Sequence, residues 1–346
     1  MLYNYSNETI FGIHNDAERY GWMSFNLFIV TTSFIGDSLI LVGSIKYNAF
    51  ALHEAIVAII QHIAVCDLLL SLMILQRTIV LVDGTDRLIG TGLCYIKAYL
   101  GAFTMSASVF LVCGMTASKF VLLKYPLRTG YVTSGHAHKL CVLLWTVSLY
   151  FPLTFLLTDR RDVAFTYRQY DCAYNFSSAA WKWLKPVSSL LLGLLPNLAI
   201  VITTVMLLVE ARKVARGAQS GLKWRGVMTV VLTALIYTIS IVPLTVYYLA
   251  EPYIKEIPGK PGKFYTVFFS ISMAFLNLNT VSNFFIYCLT VKTFRSFLRD
   301  KIGGALPCFT SGDIQQRGIP SDNMPGIRRD NRTTRNNIAG TRGKAR

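Results

Sequence analysis

Charged residues are scarce in this chain, and acids are the scarcer sign. Only 15% of its 346 residues are Asp, Glu, Lys or Arg, while 53% are hydrophobic. A water-soluble domain carries about a quarter charged residues, so this chain lacks the polar sequence to cover a soluble core of its size. Lys and Arg number 34 against 18 acids, a net charge of +16. Such an excess suits nucleic acid when the cations form a face interleaved with aromatics. Here twelve of them lie from Lys292 onward and most others stand between apolar blocks, which excludes nucleic acid as a partner. Seven scattered cysteines are too few for a disulfide scaffold, and no pair has zinc-finger spacing. No nucleophile–base pair and no phosphate-cradling loop is present, which argues against an enzyme. Residues 1–21 lack the basic-then-apolar pattern of a signal peptide. They are polar and carry the sequons Asn4-Tyr5-Ser6 and Asn7-Glu8-Thr9, so the first apolar segment is expected to direct membrane insertion itself.

What the chain has instead is long apolar runs. A bilayer core takes about 20 mainly apolar helical residues to cross. Seven segments qualify, near 22–46, 55–80, 92–118, 138–158, 186–209, 226–250 and 264–291, and no internal repeat accounts for them. Pro152, Pro196 and Pro243 interrupt three of them, which membrane helices tolerate because neighbours satisfy the freed carbonyls. The fold class is therefore an all-α membrane protein, a seven-transmembrane helix bundle. Basic residues concentrate on the cytoplasmic side of such bundles. With the N-terminus outside, the pieces at 46–54, 119–139, 210–225 and 292–346 hold 22 of the 34 Lys and Arg. That orientation also places Asn4, Asn7 and Asn175, the three sequon asparagines, on the glycosylating side. The resulting organisation is an extracellular N-terminus at 1–21, a transmembrane domain at 22–291, a surface helix at 292–302 and a tail at 303–346. In "VKTFRSFLRDKI", Phe294, Phe297, Leu298 and Ile302 recur at helical spacing with basic residues between them, the pattern of an amphipathic helix lying on lipid. The tail is rich in Gly, Asn and Arg and reads as disordered.

Several short motifs stand in fixed places on these spans. "FIGDSLILV" lies in the first, "HIAVCDLLLSL" in the second and "NTVSNFFIY" in the seventh. Cys94 opens the third span and Cys172 lies between the fourth and fifth; Trp145, Pro196 and Pro243 mark the fourth, fifth and sixth. In order and spacing this set resembles the rhodopsin-like (class A) G-protein-coupled receptors. The resemblance implies a plasma-membrane receptor that answers an extracellular ligand by activating heterotrimeric G protein. It implies a disulfide between Cys94 and Cys172 and palmitoylation at Cys308. It also matches Asn279, Asn283 and Tyr287 to the seventh-helix Asn-Pro-x-x-Tyr motif.

Lys119 lies 25 residues after Cys94 and seven before Pro126, the place of the arginine in the family's Asp-Arg-Tyr motif. The tripeptide here is Ser118-Lys119-Phe120. By resemblance Ser118, Lys119, Phe120 and Tyr287 belong to G-protein coupling. A lysine keeps the arginine's charge and reach but loses its planar, bidentate fork. The alternative is a lysine that snorkels to the headgroups at a helix end. Ser240-Ile241-Val242-Pro243 replaces the usual Cys-Trp-x-Pro, so Ile241 and Pro243, with Asn283, stand at the activation switch without its tryptophan. Phe284 replaces the seventh-helix proline, and Lys223 stands where some members carry an acid that locks the third helix to the sixth. These departures keep open a second reading, a non-coupling decoy or dimerisation partner that binds ligand only.

Ionisable residues inside a membrane are costly and point to function. Asp67, Ser108, Asn279 and Asn283 match positions lining the family's sodium pocket; the alternative is a polar knot that joins the helices. Asp37 replaces an asparagine that packs there, and two nearby carboxylates cannot both ionise cheaply. One is then protonated unless a cation sits between them, so a sodium ion is the one cofactor to consider. His62 is expected to hydrogen-bond across to Trp145. The ligand site is read by what it lacks. Gly101 stands where amine receptors carry an aspartate, and Asn277 where opsins carry the retinal lysine. Arg160, Arg161 and Arg168 among Tyr167, Tyr170, Tyr174, Trp181 and Trp183 form a rim for a peptide or acidic small molecule, or else an interfacial aromatic belt.

Overall fold

Uncharged runs of Leu, Ile, Val and Phe coil into helices in lipid because every backbone N–H and C=O must find its partner within the segment. The computed structural model describes residues 16–83, 90–125, 132–156, 163–166, 171–174, 186–215, 221–255 and 263–302. Seven long helices appear: α1 Asp16–Lys46, α2 Glu54–Asp83, α3 Gly90–Lys124, α4 Ser134–Leu156, α5 Leu195–Ala215, α6 Gly221–Lys255 and α7 Lys263–Thr290. A shorter α8, Lys292–Ile302, follows α7 directly. A π-helical turn at Leu190–Leu194 leads into α5. Among the described residues, stretches in α1, α2, α3, α6 and α7, and one from Pro186 through α5, are long and apolar enough to cross a membrane. The seventh, α4, has 23 residues, enough for the roughly 30 Å hydrocarbon core.

The bundle is apolar outside, and its largely apolar interior also holds a set of buried polar side chains. Phe28, Ile35, Ile45, Val142, Tyr150, Ile239 and Leu289 face outward. Asp37, Asp67, Ser71, Asn277, Asn279 and Asn283 are buried. That apolar outer surface is what lipid as solvent selects, since tails are as apolar as leucine and helices associate through packing and polar contacts instead. Helix α3 is the hub and packs against α2, α4, α5 and α6. Thr116 and Thr203 share a hydrogen bond of 2.9 Å between α3 and α5, and Thr229 donates to Thr290 at 2.9 Å between α6 and α7.

Two features add to the sequence reading. A hairpin pairs β1, Val163–Thr166, antiparallel with β2, Asp171–Tyr174, so that Phe165 lies opposite Cys172. Four-residue strands are too short to carry a readable alternation; both pack against α3. The other concerns α7, which runs unbroken through Phe284. Gly36 on α1 makes room for that ring: a Cβ added at Gly36 would stand 2.8 Å from the Cβ and 2.9 Å from the Cγ of Phe284. A packed aromatic thus takes the place of a proline kink. The sequon residues Asn4, Asn7 and Asn175, and Cys308, lie outside the described residues.

Candidate functional site

Two sites emerge, one mid-bundle and one at the end that carries Lys119. In the first, α1 contributes Ser33 and Asp37, one turn apart on the same face. Helix α2 contributes Asp67 and Ser71 at the same spacing, and α7 contributes Asn283. Ser33 Oγ donates to Asp37 Oδ2 at 2.7 Å. The Ser71 hydroxyl lies 2.7 Å from Ser33 Oγ and 2.8 Å from the Asp67 carbonyl oxygen. Having one hydrogen, it donates to one of them at a time. Asn283 Nδ2 donates to Asp67 Oδ2 at 2.8 Å. Asp37 and Asp67 are fully buried within electrostatic range of each other. No direct hydrogen bond joins the two carboxyls; the serine pair lies between the Asp37 carboxyl and the Asp67 main-chain carbonyl.

Polar capacity is left over around this network. Asp37 Oδ1, Asn283 Oδ1 and the hydroxyls of Tyr237 and Tyr287 are buried without a hydrogen-bond partner. The Tyr237 hydroxyl approaches Ser108, and that of Tyr287 approaches Thr233 on α6, both short of a well-formed bond. Buried polar atoms are nearly always paired, so four such atoms near one carboxylate pair set this part of the bundle apart. Ser108 and Asn279 are buried as well.

At the other site, Lys119 on α3 is half-buried together with Ser118 and Phe120. Its ammonium makes no hydrogen bond or ion pair among the described residues. It rests instead against α6, where a Cβ added at Gly226 would stand 3.2 Å from Lys119 Nζ and 3.2 Å from Leu52 Cδ2. Tyr287 lies fully buried, its ring edge-on to Phe50 with centroids 5.5 Å apart. The Lys124 ammonium stands 5.3 Å above the Phe120 ring. The Lys223 side chain lies outside the described residues.

The model described as 7 transmembrane receptor (rhodopsin family) matches residues 37–287 of this chain. The chain belongs to the rhodopsin family of receptors. It is 23% identical over 265 residues to G-protein coupled receptor 183-A of Danio rerio, spanning 72% of this chain and 69% of that protein. It is 27% identical over 79 residues to Proteinase-activated receptor 1 of Xenopus laevis, spanning 22% of this chain and 19% of that receptor. As a rhodopsin-family receptor it is a multi-pass membrane protein and not an enzyme.

The remaining landmarks of the receptor can now be placed. Cys94 is disulfide-bonded, while Cys66, Cys113 and Cys141 are free thiols. Ile241 is buried, and Pro243 stands half-buried within a continuous α6. Thr245 donates its hydroxyl to the Ile241 carbonyl at 3.0 Å. The expected bond from His62 to Trp145 does not form. His62 Nε2 instead meets His138 Nδ1 at 3.0 Å, and the Trp145 ring lies edge-on with its Nε1 unpartnered. His138 stands two turns before Trp145 on the same face of α4, so it competes for the same imidazole. Sequence reasoning missed Ser33, Ser71, Tyr237 and Gly226. Ser33 and Ser71 were detectable in principle, each standing four residues from a membrane-buried aspartate. Gly226 carried no signal, because its meaning lies in what α3 places against it.

Proposed function

We propose that this protein is a plasma-membrane receptor, N-terminus outside, that converts binding of an extracellular peptide or small molecule into activation of a heterotrimeric G protein. The observation that carries the reading is Lys119. It occupies the place of the family arginine, half-buried against α6 with no counter-charge among the described residues. Desolvating a cation without a partner is costly, so the ammonium favours any state in which α6 retreats and an acceptor enters. A carbonyl or carboxylate offered by a G protein suits that role. One ammonium supplies a point charge where the arginine fork would give two parallel bonds. Coupling through Ser118, Lys119, Phe120 and Tyr287 is therefore expected to be weaker and more tolerant of angle than with an arginine.

Within this reading Cys172, carried on the strand that packs against α3, is the partner of Cys94. Asp67, Ser108, Asn279 and Asn283, joined by Asp37, supply the oxygen donors that a hard cation prefers. The orphaned Asp37 Oδ1 and Asn283 Oδ1 fit a sodium ion, which would supply charge balance between the carboxylates. Ile241 and Pro243 follow four and six residues beyond Tyr237 on α6, on the far side of that network from Gly226 and Lys119, and with Asn283 are the switch elements of this reading.

The test is ligand-independent G-protein dissociation in cells at matched surface expression. Lys119→Ala is expected to abolish signalling and Lys119→Arg to retain or raise it. Parental signalling from both variants would reduce Lys119 to a snorkelling residue. A silent parent that gains signalling from Ser118→Asp with Lys119→Arg would support the non-coupling, ligand-binding reading instead.

A further inference from the structure

We propose that the outer half of the bundle binds a small carboxylic acid through Arg77, Lys97 and Asn26, which deepens the extracellular-ligand reading above and rests on it. Asn26 on α1 is fully buried, and neither its Oδ1 nor its Nδ2 has a hydrogen-bond partner. A carboxamide can make four hydrogen bonds, and burying one with none made is costly. Asn26 stands eleven residues before Asp37 on the same helix, about 16 Å along its axis. Its orphaned atoms therefore do not belong to the carboxylate pair.

Helix register places a cation beside that amide. Ile29 and Val30 of α1, Ile74 of α2 and Val281 of α7 pack as one buried apolar cluster. Residues three or four apart stack on one helix face. One turn outward from the cluster stand Asn26 on α1, Arg77 and Thr78 on α2 and Asn277 on α7, all of them buried. Thr78 spends its hydroxyl hydrogen on the Ile74 carbonyl at 2.9 Å. Lys97 of α3 is buried too. Cys66 Sγ meets the Thr104 carbonyl at 4.0 Å between α2 and α3. Arg77 stands three turns outward from Cys66, and Lys97 two turns outward from Thr104, so both cations lie on the facing stripes of the two helices. Higher up, Gln76 Nε2 donates to the Leu93 carbonyl at 3.3 Å. Lys97 follows Leu93 by one turn, so its Cα lies about one turn deeper than that of Arg77.

Charge sets the sign of the guest. The outer halves of α1, α2, α3 and α7, over residues 19–36, 68–82, 90–107 and 263–282, hold no Asp or Glu. They hold Arg19, Arg77, Lys97 and Lys263. A cleft lined by one sign of charge between low-dielectric walls concentrates the opposite ion. A carboxylate matches the planar guanidinium fork with two parallel bonds, and its remaining lone pairs accept from Asn26 Nδ2 and Lys97 Nζ. A phosphate would bring up to two charges to the same depth at a larger desolvation cost. Arg77 lies six residues before the end of α2, about 9 Å inside it. With Asn26 fully buried and Asn277 3% exposed, so enclosed a layer suits a compact acid and not a peptide chain.

The experiment uses the full-length receptor in phosphatidylcholine nanodiscs at constant ionic strength. Benzoate is the probe, and benzamide and benzylamine are its neutral and cationic counterparts. Thermal melts are titrated with each. Benzoate is expected to raise the melting temperature by a few degrees at saturation, and the other two are not. Arg77→Gln should weaken benzoate binding at least about ten-fold, the loss of a charged bidentate partner. Arg77→Lys should recover part of that loss, because the charge returns without the fork. Asn26→Leu and Lys97→Gln should each cost about five-fold. If Arg77→Gln fails to fold, Arg77→Lys and Asn26→Leu decide the matter. Parental benzoate affinity in both of these, equal stabilisation by benzamide, or a parental melt indifferent to benzoate would overturn the site. N-acetyl-diphenylalanine as the free acid forms a further arm; tighter binding than benzoate would overturn a small acid as the source. Labelling of Gly21→Cys, an exposed position on α1, with a membrane-impermeant maleimide tests the orientation separately. Reaction only after permeabilisation would sink the extracellular reading, whereas labelling from outside without benzoate discrimination would sink the site alone.

Discussion

Substituting Gly226 by leucine should open the Lys119 end of the receptor. A Cβ at this position would stand 3.2 Å from Lys119 Nζ, 3.2 Å from Leu52 Cδ2 and 3.9 Å from Lys119 Cε. Alanine therefore demands a displacement of only a few tenths of an ångström from the end of a flexible chain. It also removes a helix-interior glycine, worth about 0.5–1 kcal/mol, so Gly226→Ala is expected to be neutral or slightly stabilising. Leucine adds three further carbons in the direction of the ammonium and Leu52. Overfilling a packed contact costs about 1–3 kcal/mol, and that cost falls on the arrangement in which α6 rests against Lys119. If the displaced α6 is not penalised, the ratio of open to closed receptor rises about 5- to 150-fold. Two readouts measure this: ligand-free G-protein dissociation in cells, and a label-to-label distance between α3 and α6 in purified protein. Adding Lys119→Ala should remove the obstruction and return the distance towards the parental value, since contacting residues are not additive. If Gly226→Leu leaves both basal signalling and the interhelical distance at parental values with normal expression, the packing argument is wrong.

Three further outcomes are expected. Gly36→Ala would drive a methyl against the Cβ and Cγ of Phe284, atoms that cannot move without α7. It should lower stability by about 1–3 kcal/mol in a thermal melt, whereas Gly21→Ala, with nothing within 4 Å, should not. Sodium at ten times its dissociation constant should stabilise the receptor by about 1.4 kcal/mol over a bulky organic cation; Asp67→Asn should abolish that difference, while Asp37→Asn should preserve it. A parental melt indifferent to sodium would remove the cation from the site. Thr229→Val with Thr290→Val removes one interhelical hydrogen bond and should cost about 0.6 kcal/mol, measured as a double-mutant coupling.

Much of the architecture could be read from the chain because lipid imposes a one-dimensional rule. Each span must satisfy its own backbone and shed charge over about 20 residues, so seven helices, their order and the charge asymmetry of their loops are properties of composition along the sequence. The amphipathic pattern of 292–302 is equally local, and α8 occupies that segment. The lone acids Asp37 and Asp67 and the misplaced lysine Lys119 stood out for the same reason, as charges where hydrocarbon expects none. What those residues touch could not be read that way. Which helix faces Asp37, that Ser33 and Ser71 meet across the gap between α1 and α2, and that His62 meets His138 rather than Trp145 depend on the rotation and height of separate helices. Gly36 and Gly226 show the limit most clearly. A glycine has no side chain to declare a role. Its role comes from the ring of Phe284 or the ammonium of Lys119 brought against it, and only three-dimensional packing determines which side chain arrives there.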